Sequence, residues 1–514
     1  GVMTVDPEGR MTTRVADLQG FLSWTKTTRQ LEDYTIVTDY HSTWENTYFP
    51  NTDSPVPSQT IQRILDPDTQ EVLRQTTSNY ARLNNGTPDD SEDDAYLLIS
   101  EVRLIDDNGT PADSSDDTVA ETRWDYDSIG RLLAVDYPSD IDIAYTYDAL
   151  GRKLTMTDAS GTTTYTYDAL TGRMTTEDGP FANDTITYTW DDAGRRDGTT
   201  LNASTLATYA YDTQGRMSSV VAAGVPANTF TYSYDGASQF ITGIAAPGGI
   251  TTAKTYDSLN RLASIATSTV NSFTYTYDDH DRRTRVDLLD GGRWEYSYDS
   301  TGQVVGGTRY GLKLADGTEA GLVQYGYTYD PMGNPTQRSE DAAVSTYTYN
   351  NLNQLDAGDW NGQLSVFGRT ETQGLSSLQV ASPTQTETAT VMQPGEFTAK
   401  GFDVPVGDQT LTVTRTADDQ STSQAQTTIT RPASQTQFAH DLNGNMLGDG
   451  QWTYTWNDEN RLTRAERPGG QAAPAAALEF VYDGQGRRRI KREYTWADDA
   501  WVLDRTTAYT WDGW

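Results

Sequence analysis

Tyr145-Thr146-Tyr147-Asp148-Ala149-Leu150-Gly151-Arg152 decides how this chain is read, because the same pattern keeps returning. It reappears as Tyr165-Thr166-Tyr167-Asp168-Ala169-Leu170-Thr171-Gly172-Arg173 and as Tyr188-Thr189-Trp190-Asp191 with Gly194 and Arg195. Next comes Tyr209-Ala210-Tyr211-Asp212 with Gly215 and Arg216. Tyr126-Asp127 with Gly130 and Arg131 comes before these, and turns at Asp235, Asp257, Asp278 and Asp299 follow. From Asp127 to Asp299 the successive aspartates are 21, 20, 23, 21, 23, 22, 21 and 21 residues apart. A fixed period of this size is the mark of a repeat architecture.

One repeat spells a β-hairpin. Tyr-Thr-Tyr puts two aromatics on one face of a strand and a β-branched residue on the other. Asp148 to Gly151 suits a turn, since Asp can accept a backbone hydrogen bond at the first position and Gly takes positive φ freely at the last. Arg152 opens the return strand, which Leu154 and Met156 continue with period-two alternation. Two strands of roughly 7 residues, each about 23 Å long, fill one period. Single hairpins are marginal in water, so these are expected to pair edge to edge with their neighbours. Aromatic ladders and Asp–Arg pairs would then run along the sheet, and the simplest role for the repeated residues is structural.

Tyr-x-Tyr-Asp-x-x-Gly-Arg at this spacing resembles the YD repeat of RHS (rearrangement hotspot) proteins. That family includes the shell-forming C component of insecticidal toxin complexes and the animal teneurins. The resemblance covers Asp127 to Asn350 and Asp441 to Trp514, where Tyr482-Asp483 with Gly486 and Arg487 is a complete copy. It implies an all-β fold in which a spiralling sheet of antiparallel YD-repeat hairpins forms a hollow shell or part of one. Strand twist and edge pairing alone give only the strip. Such a strip leaves two open edges, which invite closure, capping or self-assembly.

The chain has 38 Lys and Arg against 73 Asp and Glu, a net charge of −35. That excludes nucleic acid, whose phosphates need clustered cations, and it disfavours polyanionic glycans and acidic membrane surfaces. There is no cysteine, and hence no disulfide or thiolate chemistry. Nothing approaches the roughly 18 apolar residues of a membrane span, and no signal peptide is visible at Gly1. Gly1 is not a natural start, and Trp511-Asp512-Gly513-Trp514 stops mid-repeat, so the chain reads as a segment of a longer protein.

Residues 1–120 carry a degenerate form of the pattern. Asp6-Pro7-Glu8-Gly9-Arg10 and Asp66-Pro67-Asp68-Thr69 look like its turns, and Asn51 to Ser58 reads as a loop. Two acidic segments in this region repeat each other, 85–94 with Asp89, Asp90, Glu92, Asp93 and Asp94, and 108–117 with Asp113, Asp116 and Asp117. As stacked hairpin loops they would make a ridge of carboxylates. One reading is a calcium site, since Ca²⁺ takes several hard oxygens; the other is a solvated acidic loop. The spacing does not fit an EF-hand.

Residues 121–360 are the regular shell, with a longer connection expected around 311–324. From Asn361 to Pro432 there is no Tyr and no Trp. Short alternating runs such as Leu411-Thr412-Val413-Thr414 suggest a small inserted β-sandwich-like domain over 361–432, which could be deleted without unfolding the shell. Residues 433–514 continue the shell.

No catalytic constellation stands out. His41, His280 and His440 are scattered, and no nucleophile elbow or phosphate-binding glycine loop occurs. The conserved terminal core segment, with Asp-Pro-x-Gly elements, at which the RHS resemblance implies that the shell is cut from its cargo is not seen before Trp514. The expectation is therefore a non-enzymatic structural container, secreted or at a bacterial cell surface. It would need no cofactor, with Ca²⁺ the one candidate. Its partners would be its own C-terminal, toxin-like cargo or neighbouring repeats of a longer chain. The alternative is an extracellular adhesion scaffold binding surface glycans or proteins.

Overall fold

A computed structural model describes residues 2–5, 11–16, 22–30, 36–48, 57–66, 69, 72–83, 95–106, 118–224, 228–268, 271–313, 319–392, 395–403, 405–431, 435–441, 443–468 and 475–512. Nearly all of these lie in antiparallel strands or the turns between them. The one helical element among them is a 3-10 turn, Pro247–Gly249. The chain divides into two compact units: residues 1–187, 349–354 and 438–514, and residues 188–348 and 355–437.

In the first unit each strand pairs antiparallel with the next, from Val2–Val5 and Met11–Ala16 through to Met174–Asp178. Each Tyr-x-Tyr strand meets its return strand with the same irregularity. Thr146 faces Thr155 and Tyr147 faces Lys153, so Leu154 is an extra residue. The bulge recurs beside Tyr126, Tyr167 and Tyr482. Bulges strengthen local twist, so a periodic bulge builds that twist into every repeat. Alternation gives each strand two faces: Tyr145, Tyr147 and Tyr167 are half-buried and Tyr165 is buried, while Thr146 and Thr166 are exposed. Val135, Ile143, Met156 and Tyr165 form a buried cluster, with Met156 fully enclosed. Residues Ala439–His440 to Ala500–Ala508 make a separate seven-stranded sheet.

The second unit continues the same order from Arg196–Leu201 to Ala343–Tyr349. Leu355–Asn361 then pairs with Gln435–Gln437, bringing together the two ends of the tyrosine-free segment. Within that segment lie two sheets. One holds Leu364–Arg369, Glu396–Phe402 and Thr390–Met392, and the other Thr386–Thr388, Leu375–Ala381, Gly407–Ala417 and Thr422–Arg431. Leu378 and Val380 of one pack with Phe397, Ala399 and Phe402 of the other in a single core, which is a small sandwich.

Three expectations need correction. Pro57 and Ser58 belong to a strand, Pro57–Leu65, and not to the preceding loop. Proline is tolerated as a strand's first residue because no ladder donor is required of it there. The connection expected around 311–324 is largely a hairpin of long strands, Val304–Lys313 and Glu319–Tyr329, with Leu322 and Val323 buried. Glycines at 306, 307, 311, 321 and 326 hid its alternation. Finally, Arg152 is a turn residue whose carbonyl accepts the Asp148 N–H at 2.9 Å, and the return strand opens at Lys153. The turn proposed at Asp6–Arg10 lies outside the described residues.

Candidate functional site

The repeated residues meet in one construction. In the turn after Tyr147, the Gly151 N–H donates to the Asp148 carbonyl at 3.0 Å, and Gly151 sits at φ +82. The Asp148 carboxylate does three things. Its Oδ1 accepts the N–H groups of Leu150 and Arg152 at 2.9 Å each, and its Oδ2 accepts Arg152 Nε at 2.6 Å. Asp127–Arg131, Asp212–Arg216, Asp257–Arg261, Asp278–Arg282 and Asp483–Arg487 repeat this pairing at 2.6–2.8 Å. Asp191 pairs with Arg195 in the same way, Nε to Oδ2 at 2.8 Å.

Backbone and guanidinium donors favour the ionised carboxylate. Asp127 is held below the usual aspartate range first by the Arg131 N–H and then by its guanidinium, overcoming the cost of burial. In Asp191 and Asp257 the arginine side chain is the larger cause. For Asp148, Asp212 and Asp278 burial pushes upward most strongly, yet the combined hydrogen bonds win.

The arginine also reaches forward. Arg131 lies 5.1 Å from the ring of Tyr147, the second aromatic of the next repeat, and its Nη1 donates to the Asp148 carbonyl at 3.2 Å. Arg152 over Tyr167, Arg261 over Tyr277, Arg282 over Tyr298 and Arg461 over Tyr482 repeat the contact at 4.7–5.2 Å. The covered tyrosine donates its hydroxyl backward, to the carbonyl of the residue after the arginine. Tyr147 donates to Leu132, Tyr167 to Lys153, Tyr211 to Arg196, Tyr234 to Met217 and Tyr482 to Leu462, at 2.6–2.9 Å. Trp456 and Trp511 use the indole N–H for the same bond, to Met446 and Arg488.

This corrects the expected ladder. The Asp–Arg ion pair closes its own turn, and the bridge between neighbours is arginine on tyrosine plus tyrosine to carbonyl, to which Arg261 adds an ion pair with Asp281 of the next turn at 2.6 Å. The sequence carried the signal, a second aromatic following each of these arginines by 15–21 residues. Its direction depends on which strand the arginine leans across.

Some copies depart from the pattern. At Asp330 and Asp441, Asn334 and Asn445 replace arginine and donate Nδ2 to the carboxylate at 2.8 and 2.9 Å. At Asn350 the roles reverse, its amide donating to Gln354 at 2.8 Å. In the Asp168 turn an extra residue lets Thr171 donate its N–H and hydroxyl to Asp168 Oδ1, while Gly172 takes φ +72 before Arg173.

A second polar cluster lies within the first unit, where the turn Asp483–Arg487 packs on strands over 300 residues earlier. Gly484 N–H donates to Asp158 at 2.8 Å, and Tyr145 donates its hydroxyl to Gly484 at 3.2 Å. Arg487 pairs with Glu177 at 2.6 Å, and Arg489 with Asp184 at 3.0 Å, both of the latter pair buried. Burial raises Asp184 above the usual range despite Arg489. Beside the cluster, Asp458 Oδ2 accepts Ser139 and Asp140 backbone donors at 3.0 Å each, and a cavity of about 210 Å³ opens between Tyr137, Asp140, Arg461 and Phe480. These carboxylates are held by backbone N–H groups and arginines. The Ser139 and Ser160 hydroxyls also donate to Asp458 and Asp158, at 2.9 and 2.6 Å, and the whole has the chemistry of a packed joint.

The acidic residues Asp89, Asp90, Glu92, Asp93, Asp94, Asp113, Asp116 and Asp117 lie outside the described residues. Among the described residues no group of three or more His, Asp or Glu is set to hold a metal, and no helix is long and apolar enough to cross a membrane.

Turn-closing carboxylates and inter-repeat staples on stacked hairpins define a β-hairpin repeat protein. Residues 126–163 and 147–184 match the RHS repeat model, and residues 200–308 match the teneurin YD-shell model. Over residues 126–184 and 200–308 the chain is thus similar to RHS-repeat and YD-shell proteins. Among solved structures it is similar to the TcdB2-TccC3-Cdc42 complex, at 15% identity and TM-score 0.44, with 98% of this chain and 31% of that one covered. It is also similar to the Photorhabdus luminescens Tc holotoxin pore carrying TccC3-D651A, at 14% identity and TM-score 0.40, with the same coverage. The chain thus spans about a third of the length of those chains. No curated protein sequence matches it.

Proposed function

We propose that this chain is a non-enzymatic wall segment of a secreted or surface-exposed shell that encloses a C-terminal, toxin-like polypeptide. The observation that supports this reading most is the inter-repeat staple. The Asp, Arg and Tyr side chains that could do chemistry are engaged in closing turns and joining neighbours, copy after copy. A wall needs this, whereas a catalytic site is normally assembled once. The match to a YD-shell family points the same way. The second reading, an extracellular adhesion scaffold, is favoured by the exposed aromatic Trp496 near the last hairpin tip.

The open reading frame beyond residue 514 separates the two. A compositionally unrelated domain of about 100–200 residues that stays protease-resistant while the shell is intact supports the container. Further repeats or sandwiches ending in a wall or membrane anchor overturn it in favour of the scaffold.

A further inference from the structure

A trough of about 650 Å³ opens on the seven-stranded sheet, lined by Thr453, Glu466, Pro468, Ala475, Trp496 and Trp501. The strand register explains it. Thr453 faces Glu466, Glu466 faces Ala477 and Ala477 faces Tyr494, while Trp496 faces Trp501. Side chains two apart on a strand share a face, so Tyr494 and Trp496 stand on the face that carries Glu466. Ala477 is small and fully buried, which leaves the middle of that row low, with the carboxylate on one side and the indoles on the other. The two indoles meet edge to face, centroids 5.1 Å apart and planes at 80°, and Trp496 is 47% exposed. A further strand paired with Ala500–Ala508 would lie beyond Trp501 and would not cross the trough.

The lining selects among ligands. It holds two large π surfaces, one carboxylate and, among the described residues, no lysine or arginine. An anion finds no countercharge there, in a chain whose net charge of −35 already repels it. A sugar needs a partner for each of several hydroxyls, and the polar side chains of the lining are Thr453 and Glu466 alone. The Thr453 hydroxyl is already engaged, donating to the Glu466 carbonyl at 3.4 Å. Arg464 contacts the Glu466 carboxylate from outside the trough and is shared with Glu479 at 3.5 Å, which Arg492 also reaches at 3.1 Å. These contacts fix Glu466 beside the trough without filling it. A small metal cation would have to shed its water for indole faces that replace little of it. A quaternary ammonium is large, weakly hydrated and covered in methyl groups. It suits apolar walls and keeps a charge that indole faces and a carboxylate attract.

We propose that this trough binds a quaternary ammonium group, of the kind that choline carries. Trp496 and Trp501 supply the π walls and Glu466 the countercharge. The inference goes beyond both readings of the chain's function, since neither requires a small ligand.

The test titrates the 514-residue chain with choline chloride in a calorimeter at fixed ionic strength. Saturable binding is expected, weakened about tenfold or more by Trp496→Leu, which keeps an apolar side chain at the hairpin and removes the π face. The melting temperature of that variant should stay near the parent's, because Trp496 is half exposed. Glu466→Gln, which keeps the shape and removes the charge, should also weaken binding. The proposal is overturned if the folded protein shows no saturable binding of choline, or if Trp496→Leu binds as well as the parent. It is overturned equally if the uncharged tert-butyl analogue of choline, or glucose, binds as tightly as choline. Phosphatidylcholine vesicles that sediment with the parent and not with Trp496→Leu would place the group on a lipid. Vesicles left in solution while choline binds would place it on a soluble ligand, and both results uphold the site.

Discussion

A single arginine of this sheet makes three kinds of contact at once: an ion pair in its own turn, a face contact with the next tyrosine, and a bond to the next turn's carbonyl. Lysine would keep the charge and lose the fork that makes these contacts simultaneous. The tyrosine hydroxyl is the more separable part. Tyr167→Phe leaves the ring under Arg152 and removes only the 2.7 Å bond to Lys153, so the expected cost is about 1 kcal/mol, read as a shift in denaturant midpoint. Gly179 is far less tolerant. A Cβ there would overlap both the Asp184 carboxylate and the Arg489 guanidinium. Gly179→Ala should break this buried pair and cost about 3–5 kcal/mol, more than alanine at the open turn glycine Gly151. Equal midpoints for the two alanine variants would refute that ranking.

Among the hairpins the eight turn aspartates from Asp127 to Asp299, leaving aside Asp235, are held below the ordinary aspartate range. A carboxyl depressed in the folded state adds stability that is full above its unfolded value and is lost as pH falls through the folded one. Asp140 and Asp184 are raised, mainly by burial, and act in the opposite sense, so protonation favours their folded environment. The eight outnumber the two. Stability should hold from neutral pH to about 4 and then collapse steeply, since many equivalent sites protonate together. Strand circular dichroism against pH checks this, and a shallow loss beginning near pH 6 would contradict it. The inserted sandwich brings a revision at the same scale. Glu396 pairs with Arg309 at 2.7 Å with both side chains buried, and Thr398 donates to Leu322. Deleting residues 361–432 therefore takes from a buried arginine the nearer of its two carboxylates, leaving Asp290 at 3.5 Å, and uncovers Leu322. Such a deletion should lower the melting temperature of the remaining repeats. An unchanged melting temperature would restore the sandwich as an independent passenger.

For the molecule as a whole, the net charge of −35 and the paired acidic segments 85–94 and 108–117 leave calcium open to direct test. Solvated loops, the simpler reading, predict equal melting temperatures in millimolar calcium and in chelator; a rise of several degrees would assign the segments to the cation. Much of the fold was legible in the sequence because its period is short and its code is local. Turn, strand alternation and the Asp–Arg closure of Asp148 with Arg152 all lie within one hairpin, and local chemistry dictates them. Tertiary structure alone decided what depends on partners distant in sequence. It set the lean of Arg131 across to Tyr147, because the bulge and twist choose the neighbour a side chain meets. It joined Arg489 to Asp184 across 305 residues, because no periodicity encodes where one stretch of a repeat packs on another. It also docked the sandwich through Glu396 and Arg309, because burial turns two ordinary charges into a fixed contact only when both lose water together.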